Sequence, residues 1–208
     1  MSCVCAYYST RTTRASATLQ RVRHLLVLCL CAALAGSAGC GSGKDEPRSA
    51  APSAAEATEA LAGAPAPLAA IHGQSNELLD GGPKAFEARL AALKGYPVVV
   101  NKWGSWCPPC RAEFPSFQSQ AIKRGKKVAF LGINGTDNKA NAAEFLKKFP
   151  VAFPSYSDPK EKVASVAKAA GPYPQTAFYD RTGEVTHVKA GPYRDEDELA
   201  ADIERYAR

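Results

Sequence analysis

Residues 97–110, PVVVNKWGSWCPPC, run a β-branched apolar segment directly into two cysteines spaced C-x-x-C. Such a run reads as a short buried strand in the centre of a sheet. The prolines after Cys107 suit the first turn of a helix, whose N–H groups have no intrahelical partner. The chain must therefore fold so that a cysteine pair stands at a strand-to-helix junction. A redox centre, part of a metal site and a structural disulfide all fit that arrangement, and the compartment bears on which applies.

The ends of the chain bear on the compartment. The first 24 residues hold Arg11, Arg14, Arg21 and Arg23 and no acid, and LLVLCLCAALA (25–35) follows. Eleven apolar residues are too few to span a bilayer as an ordinary helix but suit the core of a secretory signal. The stretch SAGC, ending at Cys40, resembles a bacterial lipoprotein signal, with Ser37 where Leu is usual. That resemblance implies cleavage before Cys40, lipid on its sulfur, and a protein held on the extracytoplasmic face of the cell membrane. Cleavage near Ala38, giving a soluble secreted or periplasmic protein, is the alternative. Export would place the chain where disulfides form and persist.

Of the formal +6 charge, from 26 basic and 20 acidic residues, four positive charges lie before Cys40. The high pI is mainly an effect of this leader, and nucleic acid is not an expected partner. Residues 41–67 are rich in Ala, Pro, Ser and Gly with no aromatic residue. They read as a flexible tether, stiffer at 64–67, with room for a short helix around 54–62 that would change nothing functional. The expected organisation is a signal over 1–39, a lipidated Cys40 with its tether over 40–67, and one domain over 68–208.

Within that domain, PKAFEARLAALK (83–94) carries Phe86, Leu90 and Leu93 on one stripe, a helix that Gly95 ends. KVAFLGIN (127–134) reads as a second buried strand, NAAEFLKKF (141–149) as a helix, and SDPKEKVASVAKAAG (157–171) as another. In that last helix Asp158 is the cap, Pro159 the first residue and Gly171 the end. QTAFYD (175–180) and EVTHVKAG (184–191) form a hairpin across Arg181-Thr182-Gly183, with His187 on its wet face. The last 14 residues form an amphipathic helix with Leu199, Ile203 and Tyr206 inward. This order gives an α/β class, a mixed central sheet with helices on both faces.

With WCPPC at 106–110, CRAEFP at 110–115 and YPQT at 173–176, the chain resembles the thioredoxin fold, and within it the membrane-tethered TlpA/ResA-like thiol–disulfide oxidoreductases. The 139–170 region resembles that branch's helical insertion before the cis-proline site. At a helix N-terminus, unpaired N–H groups and the dipole stabilise a sulfur anion. Cys107 is therefore the expected nucleophile and Cys110, one turn further in, the resolving thiol. Metal is not expected, because structural zinc takes four Cys or His ligands. After Cys40 only these two cysteines remain, with His72 and His187 far apart. No cofactor is expected.

The resemblance implies that Trp106 belongs to a partner-docking surface and that Pro174 is cis beside the cysteines. It also leaves Tyr173 free to bond an extended substrate backbone. Gln175 stands where the family has Thr. Asn101 occupies the place of a proton-carrying aspartate of cytoplasmic relatives, and Asn cannot titrate. Glu113, three residues after Cys110, is the branch's carboxylate and would exchange a proton with Cys110. The peroxidase relatives carry a spaced threonine that CPPC lacks. Lys102, in the middle of an apolar strand, has no role that the sequence explains.

The expected activity is reduction of disulfides in exported client proteins, apocytochromes among them, with electrons from a membrane thiol donor. The alternatives are a disulfide-forming oxidase and a non-catalytic thioredoxin-fold binding module.

Overall fold

The computed structural model describes residues 53–208. The expected signal segment, Cys40 and the first part of the tether lie outside the described residues.

The folded chain starts well before Leu68. Ser53 caps helix α1 (Ala54–Leu61) through a reciprocal capping box with Glu56, and α2 (Ala66–His72) follows. Ala57, Leu61, Leu68 and Ile71 are buried in the main core. The expectation of a tether up to residue 67 is corrected here: the short helix admitted around 54–62 forms and packs into the core, and a second begins at Ala66, each burying a pair of apolar residues. Gly125 leaves the space that Leu61 and His72 occupy, since a Cβ there would meet Leu61 Cδ2 at 2.5 Å.

Strand β1 (Leu78–Leu79) and helix α3 (Gly82–Ala92) lead to β2 (Val98–Trp103), every residue of which is buried. Helix α4 (Pro108–Arg124) begins at the cysteine pair and runs unbroken through Pro115. Then come β3 (Ala129–Gly135), α5 (Lys139–Lys148), β4 (Ser155–Asp158), α6 (Lys162–Val166), β5 (Gln175–Tyr179), β6 (Val185–Ala190) and α7 (Glu196–Tyr206). The six strands form one sheet in the order β1-β4-β3-β2-β5-β6. β2 pairs parallel with β3 and antiparallel with β5, so the sheet is mixed, as expected. Helices flank it, α4 packing against α7 and α1, and α3 against α6. A cluster of Trp103, Phe114 and Phe145, with centroids 4.7–5.1 Å apart and Phe114 edge-on to the other two, fills the space between β2, α4 and α5.

Two strands escaped the sequence. β1 has two residues, too few for any periodicity, and β4 (SYSD) lacks an apolar run. Both are made by parallel pairing to neighbours distant in sequence. The helix expected over 157–171 is therefore mostly absent. Asp158 ends β4, and its carboxylate accepts the N–H groups of Lys162 (2.8 Å) and Ala164 (2.7 Å), so it caps α6 from outside. α6 stops early because Lys168 turns left-handed (φ 61°) while the Ala169 N–H returns to the Ala164 carbonyl, a helix-ending arrangement that usually uses glycine. His187 is not on a wet face: it stacks on Tyr206 at 4.1 Å between ring centroids.

Leu61→Ala should lower unfolding stability by about 2 kcal/mol, the low end for a buried leucine. A urea midpoint unchanged by that substitution would mean that the N-terminal helices do not belong to the cooperative domain.

Candidate active site

Cys107 is the N-cap of α4, and its sulfur is bonded to Cys110 with the Cα atoms 5.3 Å apart. The Cys110 N–H donates to Cys107 Sγ at 3.2 Å, so a free helix-terminal donor faces the sulfur as the dipole argument requires. Only 2 % of the surface of Cys107, the expected nucleophile, is accessible, and Cys110 has none. In this oxidised form the Cys107 sulfur is turned toward Cys110 and the helix turn rather than outward. Pro108, Pro109 and Trp106 are the exposed residues of the segment.

The loop ahead of the cysteines is held from two sides. Asp137 accepts the Ser105 N–H at 2.7 Å and the Asn134 side-chain N–H at 2.9 Å. Partial burial works to raise its pKa, but these bonds outweigh it and keep the carboxyl below its ordinary value. Arg111 donates through both Nε and Nη2 to the Ser105 carbonyl.

The antiparallel register of β2 and β5 sets Lys102 opposite Gln175 and Asn101 opposite Thr176. The Tyr173–Pro174 peptide, which is cis, therefore lies at the end of the sheet where β2 gives way to the cysteine segment. Trp106 is half exposed, and its ring centroid is 4.9 Å from that of Tyr173. Its indole lies back over Gly104, where a Cβ would sit 2.7 Å from Trp106 Nε1. That N–H donates to the Thr136 carbonyl at 3.0 Å.

Glu113 is 1 % exposed, one helical turn beyond Cys110. Asn101 Nδ2 donates to its Oε1 at 2.9 Å, and the Tyr193 N–H donates to Oε2 at 3.3 Å. Burial pushes the carboxyl up to about 7, against the two hydrogen bonds and the charge of Lys189. Asn101 thus contributes without titrating, as a donor to the carboxylate that does titrate.

Lys102 receives an account that the sequence did not provide. It is fully buried, its Nζ donating to Glu161 Oε2 (2.9 Å) and the Gly171 carbonyl (2.8 Å) and lying 4.0 Å from the Tyr173 ring centroid. Glu161 also accepts from Thr136 Oγ1 at 2.9 Å and from the Tyr173 hydroxyl. Its partial burial raises its pKa less than these donors lower it. Burial, aided by the hydrogen bond to this carboxylate, raises the Tyr173 hydroxyl, which stays a donor. Thr136 (φ 48°) and Glu161 (φ 56°) both hold left-handed backbone. That conformation costs a non-glycine residue about 1–3 kcal/mol and persists only where surrounding structure enforces it. Thr136, Glu161 and Tyr193 were not foreseen. The one signal was a lysine in an apolar strand, but its partner is 59 residues away.

A buried Glu113 imposes a pH dependence. Its folded pKa of about 7 exceeds the ordinary 4.5, so the folded state holds the proton more tightly. Stability should then fall as pH rises from 4.5 to about 7 and level off above, by roughly 3 kcal/mol. His72, whose pKa burial lowers from 6.5, acts in the opposite sense in part of that range. The difference between the oxidised parent and Glu113→Gln isolates the effect. Parallel urea stability profiles for the two would show that Glu113 is not perturbed.

Residues 75–188 match the AhpC/TSA family. The chain is 33 % identical over 115 residues to the thiol-disulfide oxidoreductase ResA of Geobacillus kaustophilus, covering 55 % of this chain and 66 % of that protein. It is 34 % identical over 100 residues to a thiol:disulfide interchange protein DsbE homolog of Paracoccus denitrificans, covering 48 % and 53 %. The chain thus spans under two thirds of each of these relatives. Among solved structures, MTB DsbF in its mixed oxidized and reduced forms superposes with a TM-score of 0.50 at 31 % identity, over 55 % of this chain and 83 % of that one. With more than half of its length matched and the mixed, helix-flanked sheet of the thioredoxin-like fold, the chain belongs to the AhpC/TSA family and is ResA- and DsbE-like.

Proposed function

We propose that the protein is a thiol–disulfide oxidoreductase that reduces disulfides of exported proteins. The observation that carries this reading is the Cys107–Cys110 pair at the N-terminus of α4, with a titratable carboxyl buried one turn beyond it. In the reduced enzyme the Cys107 thiolate attacks a client disulfide, forming a mixed disulfide and releasing one client thiolate. Cys110, giving its proton to Glu113, then attacks Cys107 and releases the second client sulfur. Two electrons pass to the client and the enzyme is left oxidised. A dithiol donor, in the membrane, returns it to the reduced form. A carboxyl held near 7 can both take and return a proton at neutral pH.

Trp106 and Tyr173 form the docking edge. Tyr173 lies outside helix and strand, and neither its N–H nor its carbonyl takes part in the backbone hydrogen bonds of the described loops. Its backbone is thus placed to pair with an extended client, while Pro174 occupies the cis position beside it. The names of the relatives support thiol–disulfide exchange, and the resemblance to the TlpA/ResA-like branch supports extracytoplasmic work with apocytochromes as candidate clients. No described helix is long and apolar enough to cross a membrane, and the SAGC stretch supports attachment through lipid on Cys40.

Equilibration in glutathione and dithiothreitol buffers, read by alkylation of Cys107, should give a reduction potential at or below about −220 mV. A value above about −150 mV would make the protein an oxidant of newly exported chains. Cysteines that cannot be alkylated without unfolding would leave only a static binding module. The Cys110→Ser variant should accumulate a mixed disulfide between Cys107 and a client, visible on a non-reducing gel.

A further inference from the structure

The sulfur chemistry uses Asn101, Glu113 and Tyr193, but not the neighbouring residue of the same strand. Lys102 is wholly buried, and an ammonium taken from water is costly to keep unless its partners repay the desolvation. Its Nζ has two partners, Glu161 Oε2 and the Gly171 carbonyl, and sits over the Tyr173 ring. Tyr173 belongs to the docking edge, Gly171 lies two residues before it, and Glu161 reaches it from the start of α6.

Glu161 is the point where these contacts meet. It accepts from Lys102, Thr136 Oγ1 and the Tyr173 hydroxyl, while the Thr136 carbonyl accepts from Trp106. One carboxylate therefore acts on Tyr173 directly and on Trp106 through a single residue. The backbone is shaped to allow this. Thr136 and Glu161 both hold left-handed conformations, which a β-branched threonine rarely adopts. Gly135 has no side chain where a Cβ would strike both the Tyr173 hydroxyl and Glu161 Oε1. This cluster and the Glu113 cluster share no hydrogen bond among the described residues.

We propose that Glu161, seated by Lys102, is a positioning residue that holds Tyr173 and Trp106 as a preset aromatic edge for an extended, disulfide-bearing client segment. This rests on the oxidoreductase reading above. An edge ordered before the client arrives spares binding the entropy of ordering it. Loss of the cluster should therefore weaken client capture and leave the sulfur chemistry alone.

The test compares Glu161→Gln, Gly135→Ala and Lys102→Met in the full chain, with dithiothreitol as electron donor. Insulin serves as the protein disulfide and glutathione disulfide as the small one. Glu161→Gln and Gly135→Ala should raise KM for insulin about tenfold, with kcat, the rate on glutathione disulfide and the reduction potential nearly unchanged. Lys102→Met should raise KM in the same way, and combined with Glu161→Gln it should add little, because both act through one cluster. Should a single variant not fold, the Lys102→Met/Glu161→Gln double variant, which leaves no unpaired buried charge, still decides. An unchanged KM, or a loss of rate on both disulfides with a shifted potential, overturns the positioning role. A parent protein that reduces neither disulfide overturns the oxidoreductase reading itself, and this inference with it.

Discussion

The antiparallel pairing of β2 with β5 is the constraint on which the site depends. It sets Lys102 opposite Gln175, and so brings the chain's two distant candidate segments, 106–110 and 173–176, to one end of the sheet. A register slip of one residue would turn every side chain of β5 to the other face. The strand holds its register because both neighbours are buried: Val98, Val99 and Val100 lie between Ala129, Phe130 and Leu131 on one side and Tyr179, Phe178 and Ala177 on the other. Chemistry at the sheet's end is thus aligned by packing in its middle.

The same strand serves two networks because successive side chains leave a strand on opposite faces. Asn101 reaches Glu113 on α4, and Lys102 reaches Glu161 ahead of α6. One face holds a carboxyl whose proton is tuned by burial, and the other a carboxylate kept ionised by its donors. A fully apolar β2 would pack as well and support neither. The two polar residues interrupt the apolar run for that reason: Lys102 is paired with Glu161 and the Gly171 carbonyl, and Asn101 donates through Nδ2 to Glu113 while its buried Oδ1 has no partner among the described residues.

Much of this was legible in short stretches of the chain. The β-branched run, the prolines after Cys107 and the stripes of Phe86, Leu93, Leu199 and Ile203 carry local signals that the fold obeys. Errors gathered where long-range pairing outweighs local preference. SYSD becomes a strand only because β3 and β1 supply its hydrogen bonds. The segment after it, with good helix composition, is shortened to five residues by a strand end and a left-handed Lys168. An Ala/Pro-rich stretch that composition assigns to a tether instead buries Ala57 and Leu61.

The sequence by itself determined the cysteine pair, its place between strand and helix, and the family resemblance, because all three are written in neighbouring residues. Only the tertiary structure decided what Asn101, Lys102, Thr136 and Glu161 do. Their meaning lies in partners 12 to 69 residues away, and in how much water the fold removes from around them. Burial turns an ordinary helix glutamate into a group that titrates near neutrality, and no local pattern in the chain records how deeply a side chain will be buried.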